Sequence, residues 1–186
     1  MKRGRTKYDD SECPIFITTT ITNHINVFQI NELAIACLRL LEERRKKYYI
    51  RIYCYCLMPN HIHMIVQSNK KGDISNFIRE WKSFSARLII TFAKKKSSAL
   101  LNVFSESAKK YGLKKEQDHQ IWMPRFDDLQ LRSPVVARIK VNYIHMNPVR
   151  KSIIESPERY SYSSAGWYDR GEERFLTLTD IKGIIY

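Results

Sequence analysis

The chain has 186 residues, of which 44% are hydrophobic and 27% charged, a composition typical of one soluble globular domain. Its formal net charge of +13 favours a polyanionic partner, with nucleic acid as the first candidate. The sequence shows no apolar run that would span a bilayer and no signal core behind its basic N-terminus, so we expect a cytoplasmic protein without membrane association.

The first half of the chain alternates between strand and helix patterns. Residues 14–22 are rich in β-formers and predict the first strand. Asn31 is a suitable N-cap for the helix that follows, where apolar residues recur at helical spacing. Residues 49–58 and 61–67 predict two antiparallel strands, with Pro59-Asn60 as the turn that joins them.

Four residues of the second predicted strand alternate in type. Cys54 and Cys56 are expected on one face as small core residues, with Tyr53 and Tyr55 on the other. No Cys-x-x-Cys pair is present among the four cysteines, which argues against a zinc ribbon, and a cytosolic chain is not expected to carry disulfides.

Residues 74–92 predict a long amphipathic helix whose apolar stripe belongs to the core. Its opposite face carries Arg79, Lys82 and Arg87, which we predict as phosphate contacts. Residues 94–119 are rich in Lys and Ser without a clear period, so we expect an irregular insertion with a short helix at about 102–110.

The last third of the chain begins with a short predicted strand at residues 120–127. Ser133 then caps a helix that has Pro134 at its first position. This helix is expected to end near Met146, because the residue before Pro148 avoids the α region. Residues 156–186 predict a C-terminal extension, an aromatic loop followed by a short helix from residue 179, and the whole chain is read as one domain.

The segment 57–66 is the first candidate for chemistry. Successive side chains of a strand point to opposite faces, so His61 and His63 project side by side from one face. Two imidazoles on a rigid strand form half of a divalent-metal site, although strand histidines also serve purely structural roles. Asn60 is assigned to shaping the turn rather than to binding metal.

A second segment, Tyr143 to Arg150, reads Tyr-Ile-His-Met-Asn-Pro-Val-Arg. Together with the histidine pair, it resembles the single-tyrosine HUH (histidine–hydrophobe–histidine) transposases of the IS200-like group, in particular their REP-associated branch. The resemblance covers most of residues 15–168, and the segments that carry it are Leu57–His63, Ile121-Trp122, Tyr143–Arg150, Pro157–Tyr160 and Ser163–Ala165.

The resemblance implies a ferredoxin-like α+β fold, with an antiparallel β-sheet packed with helices. It also implies a DNA transposase in which Tyr143 attacks a phosphodiester, forming a 5′-phosphotyrosine link and releasing a 3′-hydroxyl. A second 3′-hydroxyl then rejoins the strand without ATP. The implied substrate is single-stranded DNA with a hairpin or repeat, and the enzyme acts as a monomer or homodimer.

Tyr143 and Asn147 lie four residues apart on the predicted helix and therefore share a face. With that face over His61 and His63, Asn147 becomes a third metal ligand and the tyrosine hydroxyl lies beside the ion. The expected cofactor is Mg²⁺ or Mn²⁺, and imidazole ligands suit Mn²⁺ better. His145 lies about 200° around the helix from Tyr143 and is given a structural role.

Basic side chains outside this cluster are predicted to contact the DNA backbone. They come from the N-terminal arm, the long helix and the end of the tyrosine helix: Lys2, Arg3, Arg5, Arg79, Lys82, Arg87 and Arg150. Two other functions stay open, a non-catalytic nucleic-acid-binding module on the same fold and a metal-dependent nuclease that uses water. A covalent protein–DNA adduct would distinguish the transposase from both.

Overall fold

The structure, a computed structural model, describes residues 13–110 and 118–182. The strands and longer helices follow in chain order as β1 (Ile15–Thr20), α1 (Asn31–Lys47), β2 (Arg51–Met58), β3 (His61–Gln67), α2 (Asp73–Lys96), α3 (Ser98–Lys110), β4 (Asp127–Gln130), α4 (Pro134–Arg150) and α5 (Ala165–Arg170). In these two ranges, no helix is both long enough and apolar enough to cross a membrane.

The four strands form one antiparallel sheet in the order β2-β3-β1-β4. The prediction of an α+β fold with an antiparallel sheet and packed helices is confirmed. β3 lies between β2 and β1, and its His63 is opposite Thr18 of β1 and Cys56 of β2. The histidine strand is therefore held by backbone hydrogen bonds on both sides, which makes it a rigid base for a site.

The hairpin of β2 and β3 closely matches the prediction, and β3 spans His61–Gln67 as expected. β2 begins at Arg51 and not at Tyr49. Tyr49 has a φ of 51°, a left-handed conformation that no strand residue adopts. The first strand is also shorter than predicted, Ile15–Thr20.

A bulge interrupts β2 between Ile52 and Cys54. Because an extra residue at a bulge breaks the alternation of faces, Tyr53 packs in the same layer as Cys54 and Cys56, while Tyr55 joins the layer on the other face. The predicted alternation of two tyrosines against two cysteines is therefore wrong at Tyr53.

Helices cover both faces of the sheet. On one face α1 and α2 pack over residues such as Ile17, Ile62 and Met64, with Trp81 of α2 fully buried. On the other face α4 packs over a smaller apolar layer that includes Phe16 and the α4 residue Ile144. Since His63 stacks on Phe16, the histidine pair belongs to the α4 face.

Between residues 94 and 110, the segment predicted as an irregular insertion is almost entirely helical, and the short helix predicted at about 102–110 is longer than expected. α2 continues to Lys96, and α3 follows directly. The Phe104 side chain is fully buried, and Ser107 accepts a hydrogen bond from Asn23 Nδ2 at 2.7 Å. Burial against a distant loop stabilises a helix whose Lys- and Ser-rich sequence hides its period.

The predicted strand at residues 120–127 is not formed. Trp122 makes an isolated bridge with Ile21, and the strand that pairs with β1 is Asp127–Gln130. The C-terminal extension contains a short 3-10 turn at Pro157–Arg159 as well as α5. The predicted final helix, residues 179–186, lies partly outside the described residues.

The predicted end of the tyrosine helix near Met146 is wrong, because α4 continues through Pro148 to Arg150. Pro148 lies in the last turn, where it removes only one hydrogen bond within the helix, and its ring is buried. The Lys151 amide donates to the Asn147 carbonyl and so closes the helix. Ser133 precedes Pro134 in extended backbone as expected, but its side chain makes no capping hydrogen bond.

Candidate active site

The two histidines of β3 face each other. His61 Nε2 lies 3.1 Å from His63 Nε2, and the ring centroids are 4.7 Å apart. The prediction that both project from one face of the strand is confirmed. His63 is nearly buried at 4% exposure, whereas His61 is half-buried, so the pair opens toward solvent on the His61 side.

The His61 ring is oriented by the residue before it. Asn60 Nδ2 donates to the His24 carbonyl at 3.0 Å, and Asn60 Oδ1 lies 2.6 Å from His61 Nδ1. The amide orientation is set by the first bond, and an amide oxygen only accepts hydrogen bonds. We therefore assign the ring proton of His61 to Nδ1, which leaves Nε2 with a free lone pair toward His63.

The His63 ring is held from β1. Thr18 Oγ1 lies 2.8 Å from His63 Nδ1, and the Phe16 ring stacks on the imidazole at 5.5 Å between centroids. A hydroxyl both donates and accepts, so Thr18 suits either neutral tautomer of His63. These contacts make Thr18 and Asn60 the supporting residues of the pair. The sequence predicted this role for neither of them, since Thr18 was not singled out and Asn60 was assigned to the turn.

Both imidazoles are neutral at physiological pH. Burial, followed by the nearby His24 and Lys151, lowers the pKa of His61 to about 4. Burial, followed by His61 and Lys140, lowers the pKa of His63 to about 3. Neutral imidazole is the form that binds metal, so the pair is prepared for a cation without first losing protons.

The spacing of the pair fits a divalent ion. Two ligand atoms at adjacent corners of an octahedron with bonds of about 2.1 Å lie about 3.0 Å apart, close to the observed 3.1 Å. Within the described residues, no three His, Cys, Asp or Glu side chains are clustered to hold a metal. Among these residues, a further protein ligand would be of another type, as an amide is.

Tyr143 lies beside the histidines, as predicted. Its ring meets the His63 ring edge-on at 5.2 Å and the Phe16 ring at 6.1 Å between centroids. The side chain is half-buried, so packing against these rings holds it while part of it stays accessible to solvent. The structure thus brings the proposed nucleophile and the histidine pair together from elements 80 residues apart in sequence.

Asn147 follows Tyr143 by one helical turn and lies on the same side of α4. Its side chain is buried, with 6% exposure, on the helix that covers the histidine face of the sheet. The role of Asn147 as a metal ligand stays a prediction.

Two cations flank the Tyr143 ring. Lys140 Nζ lies 5.2 Å and Arg150 Cζ 5.6 Å from its centroid, and Lys140 Nζ also lies 4.5 Å from the Phe16 centroid. Lys140, Tyr143, Asn147 and Arg150 therefore form one stripe of α4 at spacings of three and four residues. The sequence analysis missed Lys140, although extending this helical spacing one turn backwards would have found it.

His145 points away from this stripe, as predicted. His145 Nε2 lies 2.8 Å from Ser164 Oγ and 3.2 Å from Cys54 Sγ. The same serine hydroxyl accepts from the Tyr55 amide at 2.9 Å. His145 therefore joins α4 to β2 and to the C-terminal extension, contacts that suit the structural role predicted for it.

The basic residues predicted to contact DNA lie in separate parts of the structure. Arg79 and Arg87 are exposed on α2, while Lys82 donates from Nζ to the Met123 carbonyl at 2.7 Å and to the Arg125 carbonyl. Lys82 thus connects α2 with the segment before β4, and burial lowers its pKa to about 8. Arg150 lies in the Tyr143 stripe. The N-terminal Lys2, Arg3 and Arg5 lie outside the described residues.

Comparison with solved structures shows the same fold in a transposase. A REP-associated tyrosine transposase bound to a REP hairpin superposes with a TM-score of 0.64 and 20% sequence identity, over 98% of this chain and 94% of that chain. A second structure, described as a transposase from Deinococcus radiodurans R1, has a TM-score of 0.44 and 19% identity, over 77% of this chain and 95% of that chain. No curated protein matches the chain.

The family model "Transposase IS200 like" matches residues 11–121, which is more than half of the chain. The matched region contains the histidine pair and its supporting residues Thr18 and Asn60, and it ends before α4. Membership supports a transposase function, and the α4 stripe beside the histidines extends the site beyond the matched region. The chain belongs to the IS200-like transposase family.

Proposed function

We propose that the protein is a metal-dependent transposase that cuts and rejoins single-stranded DNA through a 5′-phosphotyrosine intermediate at hairpin or repeat sequences. One observation carries the proposal: the Tyr143 ring lies 5.2 Å from the ring of His63, whose Nε2 is 3.1 Å from that of His61. The tyrosine supplies a nucleophile, and the two neutral imidazoles supply two ligands for a metal ion.

In the proposed reaction, Tyr143 Oη attacks the phosphorus of a DNA phosphodiester. The bond from phosphorus to the 3′-oxygen breaks, and a bond from phosphorus to the tyrosine oxygen forms. The tyrosine proton passes to solvent, and the departing 3′-oxygen takes up a proton to become a hydroxyl. The phosphodiester energy is retained, so attack by a second 3′-hydroxyl reverses these bond changes and restores Tyr143.

The chain's own residues orient this reaction. Phe16 and His63 pack against the Tyr143 ring, which limits the positions of the hydroxyl. Lys140 and Arg150 place positive charge beside the ring, where the phosphate must approach. Such preorganised charge stabilises the additional negative charge of the transition state.

His61, His63 and Asn147 would hold the divalent ion, Mg²⁺ or Mn²⁺. When bound, the ion would supply Lewis-acid polarisation of a phosphate oxygen, which makes phosphorus more electrophilic toward a weak nucleophile such as tyrosine. The Nδ1 contacts with Asn60 and Thr18 support this role, because metal-binding histidines commonly use their second nitrogen for such hydrogen bonds.

Single-stranded DNA with a hairpin is the proposed substrate. The net charge of +13 suits a polyanion, and the REP-associated transposase of the same fold is bound to a REP hairpin. The protein is proposed to act as a monomer or a homodimer.

The test is a covalent adduct assay with a hairpin oligonucleotide, labelled on the 3′ side of the cut, in the presence of Mn²⁺. Wild-type protein is expected to give a labelled band of protein–DNA adduct in a denaturing gel, and Tyr143→Phe to give none while still binding DNA. Tyr49→Phe is the matched control, since Tyr49 is 87% exposed and lies outside the site; its adduct should equal that of wild type.

Each other outcome contradicts the proposal in a specific way. An adduct formed by Tyr143→Phe would place the nucleophile on another tyrosine. DNA cleavage by wild type without any adduct would indicate a nuclease that uses water. Binding without cleavage across a set of hairpin sequences and metals would favour a non-catalytic DNA-binding module.

A further inference from the structure

Helix α3 lies in the segment predicted from sequence as an insertion, and a series of hydrogen bonds connects it with the histidine pair. The series begins at the Ser107 hydroxyl and ends at His61. We propose that Ser107 is a positioning residue of the pair. It acts through Asn23 and Asn60 and holds His61 with its Nε2 free to bind a metal ion. The use of that ion rests on the proposed function, whereas the orientation of the imidazole does not.

Ser107 belongs to the buried face of α3. This face packs on the loop after β1, and its residues Phe104, Ser107 and Ala108 are 0%, 1% and 6% exposed. Ser107 Oγ donates to the Val103 carbonyl at 2.8 Å and accepts from Asn23 Nδ2 at 2.7 Å. A hydroxyl has one proton to donate, so the bond to Val103 leaves only acceptor capacity for Asn23. The serine therefore fixes the orientation of the Asn23 amide.

The contact from α3 is made to an unusual backbone turn. Asn23 and His24 are consecutive residues with φ values of 51° and 55°. Asn and His adopt this left-handed region more readily than most residues, but they keep it only where surrounding contacts support it. The bond to Ser107 supplies such support at Asn23. The reversal of the chain directs the His24 carbonyl toward Asn60 Nδ2, which donates to it at 3.0 Å.

The His24 carbonyl decides which end of the Asn60 amide faces His61. With Nδ2 bonded to this carbonyl, Asn60 Oδ1 lies 2.6 Å from His61 Nδ1. An amide oxygen only accepts, which keeps the ring proton on Nδ1 and leaves Nε2 free on the side of His63. If the carbonyl moved away, the Asn60 amide could rotate by 180° and present its NH₂ group. Nδ1 would then accept, and the ring proton would move to Nε2.

The backbone of the turn that carries Asn60 is held separately. The Asn60 carbonyl accepts from the Ile21 amide at 2.8 Å, and the Pro59 carbonyl accepts from the Phe28 amide at 2.9 Å. These bonds join backbone groups and do not involve the Ser107 side chain. Loss of the serine hydroxyl should therefore leave the hairpin in place and change the orientation of the side chains that depend on it.

The test uses two variants that break the series at different points. Ser107→Ala removes the acceptor for Asn23. Asn23→Gly removes the amide but favours the same left-handed backbone, and because Asn23 is exposed it decides the test if Ser107→Ala does not fold. Ser105→Ala is the matched control, since Ser105 is a half-buried serine of the same helix. The measurements are ¹⁵N NMR of the histidine rings in metal-free protein and calorimetric titration of Mn²⁺.

Both variants should shift His61 from the tautomer with a proton on Nδ1 toward the one with a proton on Nε2. Their Mn²⁺ affinity should fall by about 3- to 10-fold, less than the loss expected for removing a residue that contacts a ligand directly. Ser105→Ala should match wild type in both measurements. In an Asn60→Ala background, Ser107→Ala should cause no further loss of Mn²⁺ affinity, because residues that act in series are not additive.

Three results would overturn the inference. An unchanged His61 tautomer in folded Ser107→Ala and Asn23→Gly would show that α3 does not orient the imidazole. Equal losses for Ser105→Ala and Ser107→Ala would assign the effect to the general stability of α3, and additive losses with Asn60→Ala would show that the serine acts by another route. The tautomer is measured without metal or DNA. A wild-type protein that fails to bind Mn²⁺ would therefore contradict the proposed function and leave the tautomer result standing.

Discussion

Removing the Asn60 side chain is expected to weaken metal binding, although Asn60 itself is not proposed as a ligand. In Asn60→Ala the 2.6 Å contact with His61 Nδ1 and the 3.0 Å bond to the His24 carbonyl are both lost. His61 can then place its proton on Nε2, the nitrogen that faces His63, and this tautomer does not bind metal through Nε2.

The magnitude follows from these two effects. Loss of one hydrogen bond has a net cost of about 0.5–1.5 kcal/mol, which corresponds to about 2- to 13-fold in affinity. Loss of tautomer control adds to this, so we expect a total reduction of about 10- to 100-fold in Mn²⁺ affinity. Asn60→Asp keeps an acceptor for His61 Nδ1 and should bind Mn²⁺ nearly as well as wild type.

The assay is calorimetric titration of Mn²⁺ into each variant, with ¹⁵N NMR of the histidine rings to identify the His61 tautomer in metal-free protein. Asn26→Ala is the control, because Asn26 is exposed in the neighbouring loop and lies outside the site. Thermal melting checks the fold, and a loss of roughly 1 kcal/mol would lower Tm by about 2–4 °C. Unchanged Mn²⁺ affinity and an unchanged tautomer in folded Asn60→Ala would refute the reasoning.

Two further predictions concern the metal and the cysteines. Mn²⁺ at about 100 times its dissociation constant should stabilise wild-type protein by about 2.7 kcal/mol and so raise its Tm, whereas the Tm of His63→Ala should not rise with Mn²⁺. EDTA should abolish DNA cleavage by wild type, and cleavage that persists in EDTA would contradict the metal site. Burial raises the pKa of Cys37 and of Cys54 to about 12 and raises that of Cys56 as well, whereas Cys13 is half-exposed. A thiol reagent should therefore modify Cys13 first in native protein and all four cysteines only after denaturation; rapid modification of a second thiol in the native state would contradict this burial.

Local sequence patterns predicted the structure correctly where it depends only on residues that are close in sequence. The bounds of β3 and the shared face of His61 and His63 follow from the two-residue period of a strand. The shared side of α4 for Tyr143 and Asn147 follows in the same way from the helical period. Both periods are properties of the backbone and are independent of the rest of the fold.

The errors of prediction occur where a distant contact outweighs local preference. Residues 98–110 lack a clear helical pattern, yet burial of Phe104 and the contact of Ser107 with Asn23 stabilise α3. Pro148 predicts an earlier helix end, but it lies buried in the last turn of α4. In both cases tertiary packing overrides a local propensity that is worth only about 1–3 kcal/mol.

The sequence by itself determined which residues could perform the chemistry. The strand period places His61 beside His63, the resemblance to IS200-like transposases indicates Tyr143, and the helical period places Asn147 on the same side of the helix. The tertiary structure decided what surrounds them. Thr18 reaches His63 because β1 pairs with β3, although the two residues are 45 positions apart. Lys140 lies over Phe16 because α4 crosses that face of the sheet. Such contacts depend on strand order and helix packing, which arise from the burial of the whole core and have no signature in a local stretch of sequence.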